Sequence, residues 1–140
     1  MQEAKDVEIR QMLVYLDHLG DLGRQLNTLS PTPAAEIEWF AAKRVLQESI
    51  DTVTEVADRI CEGYLMRDPA DYADMITILR QEKVIDPQIS TALIALVNLK
   101  TAIQRQYYSL TKEQVQQGLV LLNSVPQYTH AIRAFLEQPF

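Results

Sequence analysis

The 140-residue chain holds one cysteine, Cys61. That excludes an internal disulfide framework and a cysteine-rich zinc site, and it fits a reducing compartment. Glycine is scarce, at four residues, and none forms a phosphate-cradling loop or a nucleophile elbow. No apolar run approaches the roughly 20 residues that span a bilayer. The N-terminal MQEAKDVEIR also lacks the apolar stretch of a secretory signal, so a soluble, cytoplasmic protein without membrane association is expected. Sustained period-two alternation and hairpin dipeptides are missing, which speaks against a sheet. The two histidines, His18 and His130, lie on separate segments without ligand spacing, and no Glu-x-x-His occurs. Neither a metal nor a cofactor is therefore expected.

What is present is ordinary globular material. Hydrophobic residues make up 47% of the chain and charged residues 23%, enough to bury a core in a single domain covering 1–140. The net charge of −6 is unevenly spread. Residues 1–74 hold 15 acids against 7 lysines and arginines, and residues 75–140 hold 4 against 6. The broad basic footprint of a constitutive nucleic-acid binder is absent, which leaves room for a small local basic site or for two oppositely charged parts packed together.

Helical periodicity accounts for nearly the whole chain. Ile9, Met12, Leu13, Leu16, Leu19, Leu22 and Leu26 form a stripe at three- and four-residue spacing from Glu3 to about Asn27. Gly20 and Gly23 each weaken that helix by roughly 1 kcal/mol relative to Ala, so fraying is expected at its end. Ser30-Pro31-Thr32-Pro33 is a break, with Thr32 as cap and Pro33 in the first helical position. A long helix to about Tyr64 follows, its apolar face formed by Ile37, Phe40, Ala41, Ile50, Val53, Ala57 and Ile60. Asp68-Pro69 and Asp86-Pro87 repeat the cap-plus-proline signal for two further helices. Thr111-Lys-Glu-Gln114 reads as a capping box for a last helix that should kink or break at Pro126. The expectation is an all-α antiparallel bundle of four to five helices.

One stretch stands out. Between Asp86 and Glu113 there is no carboxylate, and TALIALVNLKTAIQRQYYSLTK (91–112) reads as an amphipathic helix. Leu96, Leu99, Ile103 and Leu110 form one side, while Lys100, Thr101, Gln104, Arg105, Tyr107 and Tyr108 share a polar arc. At about 100° per residue, Lys100, Gln104 and Tyr107 cluster, and Arg105 lies roughly 140° round from Lys100. The long second helix carries its own polar row, Arg44, Gln47, Glu48, Asp51, Glu55 and Asp58. That row is either a solvated face with pairs such as Glu55 with Arg59, or a surface on which Arg44, Gln47 and Asp51 meet the cationic arc.

The runs AAKRVLQESIDTVTEVADRI, MRDPADYADMITILRQEKVID and LVNLKTAIQRQY, in that order, resemble the HepT-like branch of the HEPN proteins over about residues 36 to 110. Shared features are a long second helix with Arg-x-Leu-Gln and an acid, a Pro-x-x-Tyr segment, and a short helix ending near Glu-Lys-Val-Ile. The resemblance implies an all-α homodimer with the fourth helices of two subunits beside a shared cleft. It implies a metal-independent ribonuclease, usually the toxin of a toxin–antitoxin pair, whose partner is an MNT-type nucleotidyltransferase. In some pairs that partner silences the toxin by placing AMP on the motif tyrosine.

The family motif is Arg-Asn, a few residues, His, one residue, Tyr. Matched by position, these fall on Lys100, Thr101, Arg105 and Tyr107, with Arg44, Gln47 and Asp51 as supporting residues on the second helix and Tyr107 as the AMP acceptor. Three of the four motif positions differ. Lysine keeps the charge but lacks the planar fork that grips phosphate bidentately. Arginine cannot serve as a general base near neutral pH, and general acid–base catalysis is typically worth about 10² to 10⁴ in rate. The expectation is a relative with weakened or lost RNase activity that holds RNA phosphate, a nucleotide or the nucleotidyltransferase partner at the cleft. The alternatives are an active endoribonuclease toxin and a purely structural helical module.

Overall fold

The computed structural model describes residues 2–29, 36–106 and 109–138, all of them in helices, turns and short connections. Six α-helices follow one another: α1 (Gln2–Leu29), α2 (Glu36–Gly63), α3 (Tyr72–Gln81), α4 (Pro87–Gln106), α5 (Lys112–Leu121) and α6 (Val125–Leu136), with a 3₁₀ turn at Leu122–Ser124 between the last two. The break expected at Pro126 is there, with the proline in the first turn of α6, where its missing N–H is no loss. The capping box is also there: Thr111 Oγ1 accepts the Gln114 N–H while the Gln114 side chain accepts the Thr111 N–H. The expected Thr32 cap and Pro33 helix start lie outside the described residues.

The long α1 and α2 run antiparallel, so that the Tyr64 hydroxyl donates to Asp6 at 3.1 Å at one end and the Tyr15 hydroxyl donates to Glu48 at 3.3 Å farther along. Ile9, Leu13 and Leu16 of α1 close on Leu46, Ile50, Val53, Val56, Ala57 and Ile60 of α2, all of them buried. Each such aliphatic side chain removed from water contributes about 1.5 to 3 kcal/mol. Helix α6 lies against this pair. Tyr128, fully buried, donates to the Val53 carbonyl at 3.0 Å, and Phe135 meets Tyr64 edge-on. Asp17 of α1 receives both the Thr129 hydroxyl and the Arg133 guanidinium.

Four sequence expectations need correction. Helix α1 continues through Gly20 and Gly23 to Leu29. A Cβ on Gly23 would sit 2.8 Å from Leu122 Cδ1, so the glycine permits close approach of the 3₁₀ turn. Ile37 and Phe40, assigned to the apolar face of α2, are 82% and 61% exposed. At about 100° per residue Ile37 lies opposite Leu46 and within about 40° of Asp51, on the outward stripe. The cap of α3 is Asp71, whose carboxylate accepts the Asp74 N–H at 2.7 Å. Asp68-Pro69 instead belongs to the connection that Arg67 and Asp74 clamp. Finally, Ser109 and Leu110 are non-helical, so α4 does not run on to Lys112.

Among the described residues two non-glycines take left-handed backbone conformations, Leu65 (φ 55°) and Lys83 (φ 62°). Each follows a helix whose end is closed by paired bonds, Met66 N–H to Cys61 O and Leu65 N–H to Glu62 O, then Val84 N–H to Leu79 O and Lys83 N–H to Arg80 O. These are Schellman closures with a side chain where glycine usually stands. The second one delivers the chain into α4, where Asp86 accepts the Ile89 N–H at 2.8 Å as cap.

Candidate functional site on helices α2, α3 and α4

Helix α4 is held in the bundle by Leu93, Leu96, Val97 and Ile103, all buried. That packing fixes Lys100 at the edge of the core, its side chain 12% exposed, with the amine reaching outward between α2 and α3. Lys100 Nζ donates to Asp51 Oδ1 at 3.0 Å and sits 4.3 Å from the ring centroid of Tyr72. A cation over an aromatic face contributes about 0.5 to 2 kcal/mol according to how dry the site is. The three groups line a groove of about 530 Å³ together with Glu55, Asp58, Met75 and Gln104.

The cationic arc of α4 is thus answered by acids from α2. Absence of carboxylates along residues 87–112 is a statement about sequence, and α2 brings Asp51, Glu55 and Asp58 to the same groove in space. Of the three supporting residues, Asp51 makes the cross-helix bond. Arg44 turns to Glu48 on its own helix, and Gln47 is half-buried one turn before Asp51. Glu55 pairs with Arg59, which also reaches Glu8 of α1. The solvated-face and cross-helix readings therefore each account for part of the α2 row. Thr101 and Arg105 are exposed on the outer side of α4. Tyr107 and Tyr108 lie outside the described residues.

On the other side of α2 a second groove, about 500 Å³, shares Asp51 and Glu55 and is lined by Gln11, Met12 and Tyr15 of α1. Loss of hydration and the Glu48 carboxylate beside it push the Tyr15 hydroxyl above its ordinary value. Tyr72 is the site residue that reasoning by charge alone overlooks. Its signal is the Pro69-Ala-Asp-Tyr72 segment, which places the ring in the first residue of α3, against Lys100. Cys61 plays no part: burial pushes its thiol up to about 11, which keeps it protonated and unreactive. Among the described residues no cluster of His, Cys, Asp and Glu is placed to hold a metal ion, and no helix is long and apolar enough to cross a membrane.

The chain is thus an all-helical bundle with a lysine held between a carboxylate of its second helix and a tyrosine of its third. The family model for the HepT-like ribonucleases matches residues 12–134, and the chain belongs to that family. YutE of Bacillus subtilis (strain 168), provisionally called an RNase, is 25% identical over 104 residues, covering 74% of this chain and 72% of YutE. The structure of YutE, described as a cytosolic protein of unknown function, superposes with a TM-score of 0.83 at 24% identity, over 94% of this chain and 90% of that one. A tri-AMPylated HEPN toxin of Shewanella oneidensis, solved in complex with its MNT antitoxin, gives a TM-score of 0.78 at 19% identity, over 90% of this chain and 96% of that chain. The fold is the HEPN-like helical bundle expected from the sequence.

Proposed function

We propose that this chain is the HepT-type member of a toxin–antitoxin module whose site grips an anionic ligand and has lost most of its capacity to cut RNA. In this reading it acts as a cytoplasmic homodimer, with Lys100, Thr101 and Arg105 from both copies lining one cleft, and an MNT-type nucleotidyltransferase as partner. The observation that carries it is the identity of position 105. An arginine stands in the last turn of α4 where the family pattern has histidine, and a permanent cation can hold a phosphate but cannot take a proton from a ribose hydroxyl. Exposure of Ile37 and Phe40 on the stripe that continues into Arg44, Gln47 and Asp51 supports a second copy covering that face. Tyr107 is the proposed acceptor of AMP. Its phenolic oxygen would attack the α-phosphorus of ATP, with pyrophosphate leaving and the phenolic proton passing to a base of the transferase.

The test is an RNA-cleavage assay without added metal on the purified protein, beside a Lys100→Arg, Thr101→Asn, Arg105→His triple variant that rebuilds the family motif. The expected outcome is little or no cleavage by the native chain and a gain of about 10² or more in the variant. Efficient cleavage by the native chain would instead assign it as an active endoribonuclease, the reading that the family's name favours. Incubation with the nucleotidyltransferase partner and ATP, read by intact mass before and after Tyr107→Phe, tests the modification separately.

A further inference from the structure

A third groove, of about 1030 Å³, lies between α6 and the turn joining α3 to α4. It is at the far end of α4 from the site above: Ile89 and Lys100 are separated by roughly 16 Å of helix. Its floor is aliphatic, made by the buried Val84 and Ile85 with Ile89 and Ala131. Arg80, Lys83 and His130 stand around it, all exposed. The acid in the lining, Asp86, is committed as the cap of α4, where the helix N-terminus offsets its charge.

Six cations elsewhere on the chain, Arg24, Arg44, Arg59, Arg67, Lys100 and Arg133, are answered by acids. Arg80 and Lys83 share with Arg10, Arg105 and Lys112 the lack of a carboxylate partner among the described residues, on a chain whose net charge is −6. Lys83 moreover occupies the left-handed position of the α3 closure, where glycine fits without strain. The floor is aliphatic and flanked by prolines, Pro87 and Pro126, which suits apolar side chains of a protein partner. The groove is also open and at the upper end of the size of small-molecule sites.

We propose that this groove docks an acidic amphipathic helix of a partner protein, its apolar side chains on Val84, Ile85, Ile89 and Ala131 and its carboxylates on Arg80, Lys83 and His130. This is helix-in-groove recognition with the charge complement supplied by the rim. It does not depend on the reading of the α2–α4 site, which it leaves untouched.

The probe is a synthetic helical peptide of about 18 residues, with leucines at three- and four-residue spacing and glutamates elsewhere, beside a counterpart with lysine in place of glutamate. Titration of the isotopically labelled full chain by NMR, with calorimetry for affinity, is expected to shift the amides of Val84, Ile85, Ile89 and Ala131 with the acidic peptide. Arg80→Glu with Lys83→Glu should weaken binding about tenfold or more. Lys83→Gly should weaken it severalfold while leaving thermal stability equal or higher, which separates lost recognition from lost folding. Equal binding of the lysine peptide, retained affinity in the charge-reversed variant, absence of binding, or shifts elsewhere would overturn the proposal. So would a change of oligomeric state on charge reversal, which would assign the groove to a second copy of this chain.

Discussion

Asp51→Asn should increase affinity for a phosphate-bearing ligand at Lys100. In the structure the Lys100 amine is 3.0 Å from Asp51 and its side chain is 12% exposed, while that of Asp51 is 49% exposed. A phosphate accepting from the same amine would lie about 5 Å from the Asp51 carboxylate. Two like charges at that distance repel by about 0.8 kcal/mol in water and by up to about 3 kcal/mol at the effective dielectric of a partly covered site. With half of Asp51 in solvent the lower end applies, so removing its charge should improve affinity by about 1 kcal/mol, on the order of fivefold. Lys100 should keep its place in the variant, because the Tyr72 ring and the new amide oxygen still hold it. The assay is fluorescence anisotropy with a labelled single-stranded RNA for native protein, Asp51→Asn and Lys100→Met. The gain should shrink toward 1 M salt, where the Debye length falls to about 3 Å. If Asp51→Asn leaves affinity unchanged or weakens it while Lys100→Met is silent, phosphate does not meet Lys100 and the assignment of this groove fails.

Leu65→Gly and Lys83→Gly relieve left-handed backbone at the ends of α2 and α3, so each should raise stability by about 1 kcal/mol, read as an increase of about 3 °C in thermal midpoint. Asp74 is held down to about 2 by its hydrogen bonds from Arg67, with a further bond from the Ala70 N–H, against an ordinary 3.8. Its folded-state value is therefore below its unfolded one, and its contribution is complete above about pH 4 and disappears as the pH falls to about 2. Asp74→Asn should flatten the slope of stability against pH within that window in urea titrations, and leave the slope above pH 5 as it was. Ile37→Glu with Phe40→Glu, both exposed in the single chain, should leave folding by circular dichroism intact and convert a dimer to monomer in sedimentation. A still-dimeric variant would place the interface elsewhere.

The all-α architecture was legible because helix starts carry local chemistry. Thr111 with Gln114, and Asp86 before Pro87, bond as their spacing requires. Where a local signal misled, tertiary contacts decided. Asp68-Pro69 looked like the cap of α3, but the clamp of Arg67 on Asp74 ties that pair into the connection and Asp71 caps the helix. The face assignment failed at the start of α2 because the apolar character of Ile37 and Phe40 outweighed their phase. Ile37 and Phe40 look apolar and helical, but nine residues separate Ile37 from Leu46, which is half a turn out of phase. At the site, Lys100 and Asp51 were both visible as candidates. Their 3.0 Å bond and the Tyr72 ring beside them were not, because pairing between helices depends on register that spacing within one helix does not contain. The glycines misled for the same reason: the weakness they impart to α1 is local, while the close packing of Gly23 on Leu122 is not.

The charge inventory ties the proposed gripping function to the proposed dimer. Within one chain the α2–α4 groove sets Lys100 against Asp51, Glu55 and Asp58, so its lining is negative overall and a phosphate gains little there. Glu55 is partly neutralised by Arg59, and Arg105 stands on the exposed side of α4, away from these acids. A cleft formed about a twofold axis along the outer side of α4 would bring two copies of Arg105 together, apart from the acids of the Lys100 groove. That makes the local field positive on this side of α4 and supplies two guanidinium forks for one phosphate. Anion binding by this chain should accordingly follow the dimer population. Affinity for RNA should fall on dilution below the self-association constant, and it should be lost in the Ile37→Glu, Phe40→Glu variant even though Lys100 and Arg105 are unchanged. Undiminished RNA binding by a verified monomer would separate the two proposals and leave the grip of Arg105 without its physical basis.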